Sequence, residues 1–384
     1  LANLPTCTME TNLFVENYED SRERFRQSLG EIRARWPGAR LASHRLPGDE
    51  DLTIDWIAAE SLVSPDRLLV FTTGEHGVEG YVGGAMLRLF QREFLPRLEP
   101  QRTGLLLVHA INPWGMKHRR RVNAANVDLN RNFVVDEREL DPAFNADYDR
   151  LASFLNPQRP LRSLLLSNLT FFVGVLVHTL QIGGQRLRRA TLLGQYRFPQ
   201  YLGYGGSSFQ EETRVLMRLY QETMPRYGRV VHLDMHTGYG PRYQMTLVNS
   251  ALEPRDSAEL AQRFGYPRVA RANASEFYEI HGDMIDRVYA LWRAGFPDKP
   301  FYATSFEFGT LGDSLLDALR SLRTMILERQ VYQHGARNAV LRAYVARDFR
   351  ELFDPPDEEW RRKAIADARQ AFEGILRAEG FLGP

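Results

Sequence analysis

The 384-residue chain carries 49 basic and 48 acidic side chains, a formal net charge of +1, and 43% hydrophobic residues, the composition of a globular protein. This balance argues against a general nucleic-acid binder, whose affinity comes from clustered cations neutralising phosphates. The single cysteine, Cys7, excludes an intramolecular disulfide; no basic segment followed by an apolar core opens the chain, so no secretory signal and a cytoplasmic location are expected.

Residues 1–13 read as an N-terminal extension. Residues 14–36 place apolar side chains at helical intervals among many charges and predict an amphipathic surface helix. Strands are expected at about 41–46 and 52–59, the second alternating in character. Arg67–Phe71 predicts a short buried strand that runs into the loop around His76, and 79–94 predicts a helix. Gly104–Ala110 is a further buried strand, stopped by Asn112 and Pro113. Residues 136–160 are polar. Leu164–Ile182 then runs without a formal charge and is long enough to span a membrane. Its Ser167, Asn168, Thr170, Gly174, His178 and Gln181 would be costly facing lipid, so a membrane is not expected as a partner. The segment is expected instead as a buried or interface helix, forming an apolar flap beside the active site.

A basic patch at Arg186–Arg189 and a Gly/Tyr-rich loop at 194–206 follow. A helix is predicted over 210–220. Residues 229–235 form a strand that delivers His236, with 244–248 as its neighbour, and 302–308 form a strand that delivers Glu307. Helices are predicted over 313–331, 333–348 and 357–379. Buried strands alternating with helices predict an α/β fold with a mixed, mostly parallel sheet and helices on both faces. One domain is expected over 14–384, with an insertion at about 136–206 and a helical C-terminal part at about 313–384. His76, His236 and Glu307 all lie at or just beyond strand ends, where open α/β sheets place their ligand sites.

His76 and Glu79 stand three apart where a loop turns into a helix, so both side chains can reach one ion. A lone His-x-x-Glu is common by chance, and a lone strand-end histidine such as His236 reads as a core residue. Together the three make a His₂Glu set, which in a catalytic zinc site leaves one coordination position open. Asp234 stands where it could orient a ligand through a further hydrogen bond.

The fragments Gly74–Gly80, Val127–Phe133, Leu233–Gly238 and Ser305–Gly309 resemble, in this order, the zinc carboxypeptidase (funnelin) family. That family's pattern is His-x-x-Glu, Asn-Arg, His and Glu. The run Asp128-Leu129-Asn130-Arg131-Asn132-Phe133 is similar residue for residue, and Asn112-Pro113-Trp114-Gly115 resembles an Asn-Pro-Asp-Gly element with tryptophan in place of aspartate. The nearest likeness is to a bacterial branch called a domain of unknown function, carried by His76–Gly80, Arg120–Asn123 and the 194–206 loop. Aspartoacylase and succinylglutamate desuccinylase-type deacylases are related.

The resemblance implies that His76, Glu79 and His236 bind Zn²⁺. Glu307 would activate the attacking water and pass its proton to the leaving group. Arg121, with Arg120 as a substitute, would polarise the carbonyl, and Asn130 and Arg131 would hold a substrate carboxylate. The family's mobile tyrosine has six candidates here: Tyr239, Tyr243, Tyr266, Tyr278, Tyr289 and Tyr302. The implied function is a zinc-dependent metallohydrolase cleaving an amide bond next to a carboxylate. Its substrate is a peptide or small molecule with a free carboxylate, and either a carboxypeptidase or an N-acyl-amino-acid deacylase fits. A non-catalytic binding module would be expected to lack one of the four metal and base residues. Nucleic acid is not expected as a partner, and an oligomer is compatible with the sequence.

Overall fold

Strands buried on both faces read as continuous apolar runs. Leu68–Phe71 and Leu105–Val108 are such runs; with Val230–Leu233, interrupted only by the buried His232, they form the middle of an eight-stranded sheet. The computed structural model describes residues 13–383, so the predicted N-terminal extension with Cys7, apart from Leu13, lies outside the described residues. From one edge to the other the strands are β1 (Arg40–Arg45), β2 (Thr53–Ala59), β4 (Thr103–His109), β3 (Arg67–Thr73), β5 (Arg229–Gly238), β8 (Phe301–Gly309), β6 (Met245–Asn249) and β7 (Val269–Arg271). The central β4–β3–β5–β8 group is parallel. Antiparallel β2 and β1 extend one side; on the other β6 is antiparallel to β8 and parallel to β7.

Strand periodicity sorts the core into two layers. On β3, Leu69 and Phe71 face α1 (Tyr18–Arg33), α2 (Gly80–Glu93) and α12 (Glu358–Ala378), where Phe71 meets Phe90 and Phe372 at ring-centroid distances of 5.4 and 5.8 Å. Leu68 and Val70 face the other way, towards α7 (Glu211–Thr223) and α9 (Met284–Gly295). This is the single α/β layer arrangement expected from the sequence.

Several elements differ from the sequence reading. Asn112 and Pro113 do not merely stop β4; they begin a short helix α3 (Pro113–Lys117). The Asn112 side chain accepts from the Gly115 N–H at 2.8 Å, and proline at the first helical position needs no donor. Within the polar stretch lies α4 (Ala146–Leu155), and the basic patch sits on α6 (Gly184–Leu192). Helix α8 (Ser257–Phe264) and α9 were not anticipated. The predicted 333–348 helix begins later, as α11 (Ala339–Phe353): Gly335, at φ +77°, ends α10 (Leu315–His334), and Asn338 caps the next helix.

The apolar run does form one helix, α5 (Leu164–Ile182), but it is not a buried one. Only Phe171 and Ile182 are buried, and most of its leucines are exposed. The expectation of burial is corrected here. The polar Asn168 turns inward, accepting from the Arg323 guanidinium, while the apolar side faces out. By length and composition this helix is long and apolar enough to cross a membrane.

Candidate metal centre

The site forms where β3, β5 and β8 end on the same side of the sheet. After β3 the chain passes through Gly74 into a 3₁₀ turn at Gly77–Glu79, with His76 just before it in extended backbone. Gly77 is required there, because a Cβ would stand 2.1 Å from the backbone carbon of Gly115. This close fit of α3 against the turn fixes where His76 and Glu79 point.

The strand register then places His236 of β5 directly beside Glu307 of β8. The imidazoles of His76 and His236 meet edge to face, with centroids 5.1 Å apart. Their Nδ1 atoms converge on one carboxylate, lying 2.9 Å from Glu79 Oε1 and 3.1 Å from Glu79 Oε2 respectively. The three ligand atoms lie within 4.8 Å of one another and all three residues are buried. His76 Nδ1, though close to Glu79, makes no hydrogen bond of proper geometry and is a buried polar atom without a partner. A cation bound by both rings and Glu79 would satisfy it, so the donor set fits a zinc ion.

The outer nitrogens are held by carboxylates. His76 Nε2 lies 3.0 Å from Asp128 Oδ1, and His236 Nε2 lies 2.6 Å from Asp234 Oδ2. A carboxylate accepts from Nε2–H and so leaves Nδ1 as the electron-pair donor, the pattern that orients metal-binding histidines. Asp234 therefore takes the position anticipated for it. Asp128 was not singled out; the signal was its place in the Asp-Leu-Asn-Arg-Asn-Phe run. Glu75, also overlooked, lies 3.3 Å from His236 Nε2, and its position directly before His76 was the available clue. Glu75, Asp234 and His236 make a second possible metal group, but Glu75 and Asp234 do not line the cavity. Behind Asp234, Thr72 donates to its Oδ1 at 2.6 Å and lies 2.8 Å from His232 Nε2. Burial drives the His232 pKa down to about 4, so this inner histidine is neutral.

The electrostatics favour a cation. Burial opposes charge on His236, but the Asp234 carboxylate and hydrogen bonds to Asp234, Glu75 and Glu79 push its pKa well above the usual value. Burial likewise opposes ionisation of Glu79, yet the two imidazoles hold it down to about 2. Asp128 stays ionised despite burial because Arg121, Arg131 and His76 surround it. Glu307 differs: burial first, then the Glu79 charge, raise its pKa to about 7. Its Oε1 accepts from the Tyr239 N–H at 2.9 Å.

Arg121 and Arg120 point in different directions. Arg121 lines the cavity, pairs with Asp128 and reaches 4.0 Å from Glu79 Oε1. Arg120 is buried away from it, 2.8 Å from Glu328 and stacked over Tyr332, which removes it as a substitute. Asn130 and Arg131 also line the cavity. The Asn130 side chain accepts from the Met284 N–H at 3.1 Å. Arg131 donates to the carbonyls of Asn130 and Leu192 at 2.6 and 2.7 Å, while its buried Nε–H has no partner.

The Gly/Tyr-rich loop seats this arginine: Gly194, at φ +83°, would place a Cβ 2.9 Å from Arg131 Cδ, and the Tyr196 hydroxyl donates to the Arg131 carbonyl at 2.8 Å. Of the six tyrosines, Tyr239 and Tyr278 line the cavity. Tyr266, Tyr289 and Tyr302 are buried against Met245, Glu253 and Asn249, and Tyr243 bonds Asp357.

These groups occupy the inner end of a cavity of about 380 Å³. Its outer part is apolar, formed by Val175 of α5, Leu187 of α6, and Leu319 and Leu322 of α10.

Solved structures similar to this chain include bovine thrombin-activatable fibrinolysis inhibitor in complex with tick carboxypeptidase inhibitor, at 12% identity and TM-score 0.44 over 86% of this chain and 97% of that one. Carboxypeptidase A from Helicoverpa armigera is 12% identical, with TM-score 0.45 over 83% and 73%. A succinylglutamate desuccinylase from Silicibacter sp. is 14% identical, with TM-score 0.37 over 77% and 67%. No curated protein matches the sequence. One family matches residues 14–367, nearly the whole length, and the chain belongs to it: the family described as Protein of unknown function (DUF2817).

Proposed function

We propose that this protein is a zinc-dependent hydrolase that cleaves an amide bond next to a carboxylate. The observation that carries the reading is the convergence of two imidazole Nδ1 atoms on Glu79, with a raised-pKa carboxyl, Glu307, one strand away. His76, Glu79 and His236 would hold the zinc, which when bound supplies a Lewis acid and makes water acidic enough to react near neutral pH.

The remaining roles fall to side chains. Glu307 takes the proton from the attacking water and returns it to the leaving nitrogen; a carboxylate with a pKa near the working pH suits both transfers. Arg121, kept charged by the Asp128 and Glu79 carboxylates despite burial, stabilises negative charge on the amide oxygen. Arg131 holds the substrate carboxylate through donors not used by the Asn130 and Leu192 carbonyls, a charge-assisted contact worth roughly 1.5–3 kcal/mol. Asp128 and Asp234 keep the histidine rings in place. Peptide and N-acyl-amino-acid substrates both present this amide-plus-carboxylate pattern.

Metal analysis of purified protein, followed by a screen of dipeptides and N-acyl amino acids with and without chelator, tests the reading. The expected result is about one zinc per chain and hydrolysis that stops with chelator and returns with zinc. Metal-free protein that cannot be loaded, or hydrolysis indifferent to chelator, would overturn it.

A further inference from the structure

Helix α5 is apolar nearly all round: it packs Phe171 and Ile182 inward and still presents a broad apolar face outward. At about 100° per residue, Leu165, Leu169, Phe172, Val173, Leu176 and Leu180 share one face, and all are exposed. Leu165 and Leu180 are 80% and 78% exposed. Polar Asn168, on the flank of this face, and His178, opposite it, turn towards the protein, with Asn168 bonded to Arg323 and the His178 ring 5.1 Å from that of Phe154. Contiguous exposed apolar surface of this kind marks a contact site.

The patch continues onto a second helix. Leu315 and Leu316, in the first turn of α10, are 75% and 73% exposed. Farther along α10, Leu319 and Leu322 pack in one cluster with Phe171 and Val175 of α5. Val175, Leu315, Leu319 and Leu322 also line the cavity. Apolar residues of α5 and α10 therefore stand both on the outside and in the outer half of the site.

Charge indicates what covers it. Residues 156–190 contain Arg159, Arg162, Arg186, Arg188 and Arg189 and no acidic residue, and all five arginines are exposed. Arg186 and Arg189 pair with Asp147 and Glu279. Arg159 and Arg162, before α5, have no acidic partner among the described residues. An apolar helix with cationic groups at both ends suits the interface of an anionic bilayer. Pairing α5 with itself in a second copy would bring arginine ends together in either orientation. Its inner flank is fastened to the protein through Arg323, Phe154, Phe171 and Ile182, so the helix lies along a surface.

We propose that α5 rests on an anionic lipid surface beside the cavity, from which the cavity draws an N-acyl amino acid with a long alkyl chain. The substrate half rests on the hydrolase reading above; the docking half does not. The carboxylate end would meet Arg131 and the alkyl chain would lie along the apolar outer half. Water adds to the amide carbonyl and the C–N bond breaks, giving a fatty carboxylate and an amino acid whose nitrogen takes the proton.

The test uses the whole protein with vesicles of phosphatidylcholine, alone or mixed with phosphatidylglycerol. Sedimentation should show binding to the mixed vesicles, weakened by salt. A Leu165→Gln, Leu169→Gln, Leu176→Gln triple variant should partition at least about tenfold less, with unchanged melting and unchanged hydrolysis of short soluble substrates. Wild-type turnover should rise with acyl-chain length. Failure to bind either vesicle, with chelator-sensitive hydrolysis intact, would overturn docking and leave the hydrolase reading standing. Vesicle binding without hydrolysis of any N-acyl amino acid or dipeptide would support docking and sink the substrate assignment. A wild-type dimer that ignores vesicles and becomes monomeric in the triple variant would show that a second copy covers the face.

Discussion

The two ends of the cavity are built on opposite principles. At the sheet end, the outer nitrogens of His76 and His236 face Asp128 and Asp234, and Asp234 is in turn held by Thr72. At the outer end, Val175, Leu187, Leu319 and Leu322 offer shape and apolar surface but no directed bonds. The inner end hangs on strands whose register sets positions to a fraction of a residue; the outer end hangs on helices packed through one satellite cluster. On the proposed function, chemistry that needs fixed geometry and binding that tolerates a range of chain lengths would thereby be separated within one pocket.

Substitutions at the two ends should differ in kind. The largest effect is expected from His76→Ala or His236→Ala, which should lower bound zinc well below one per chain and abolish chelator-sensitive hydrolysis. Full metal retention in both variants would break the contrast at its foundation. Glu307→Gln should keep the metal and lose about 10²–10⁴-fold in rate.

With Glu307 as the proposed base, its ionised form would be the active one in wild type, so activity should rise as pH rises through its pKa. That acid limb should lie at or below about 7, since a bound cation favours the carboxylate. It should be absent from whatever activity Glu307→Gln retains; a rate profile with the same limb in the variant would assign it to another group.

Arg131→Ala should lower kcat/KM by about ten- to hundred-fold for substrates with a free carboxylate. Blocked esters or amides turned over by wild type as fast as free acids would remove that role. The smallest effect belongs to the outer end: Leu322→Ala should cost about two- to tenfold in kcat/KM for long-chain substrates and less for short ones. An equal loss on both would mean that the outer end, too, works by fixed geometry.

The two histidines and Glu307 were legible in the sequence because each follows or ends a strand with a largely apolar run, whereas Arg121, Asn130 and Arg131, in turns without a strand, were legible only through the family likeness. Val230–Leu233 leads to His236, and Arg67–Phe71 leads to His76. The preference for Arg121 over Arg120 came from the family likeness alone; what directs Arg120 away, its packing against Glu328 and Tyr332, has no signal in the sequence. The six tyrosines were left open in the sequence for the same reason, since Tyr239 and Tyr278 reach the cavity from loops without regular periodicity. At the outer end the apolar run of α5 and its place beside the cavity were visible, but of the two alternatives, buried or interface, the buried one did not hold. Hydrophobicity normally signals burial, and here the tertiary contacts take the polar flank inward.

The direct pairing of His236 with Glu307 across β5 and β8 has a consequence for how the protein comes into being. The ligand set joins residues near position 76 to one at 236, and the base follows at 307, on strands adjacent in space but distant along the chain. A nascent chain released only as far as α7 would carry His76 and Glu79 with no His236 to complete the set. On the proposed ligand set, metal capture would be an event of late synthesis, after β5 has docked on β3, and the ion would stabilise only chains that have already closed the sheet. Zinc content in pulse-labelled, length-arrested chains would then serve as a clock for the moment at which the two halves of the sheet meet.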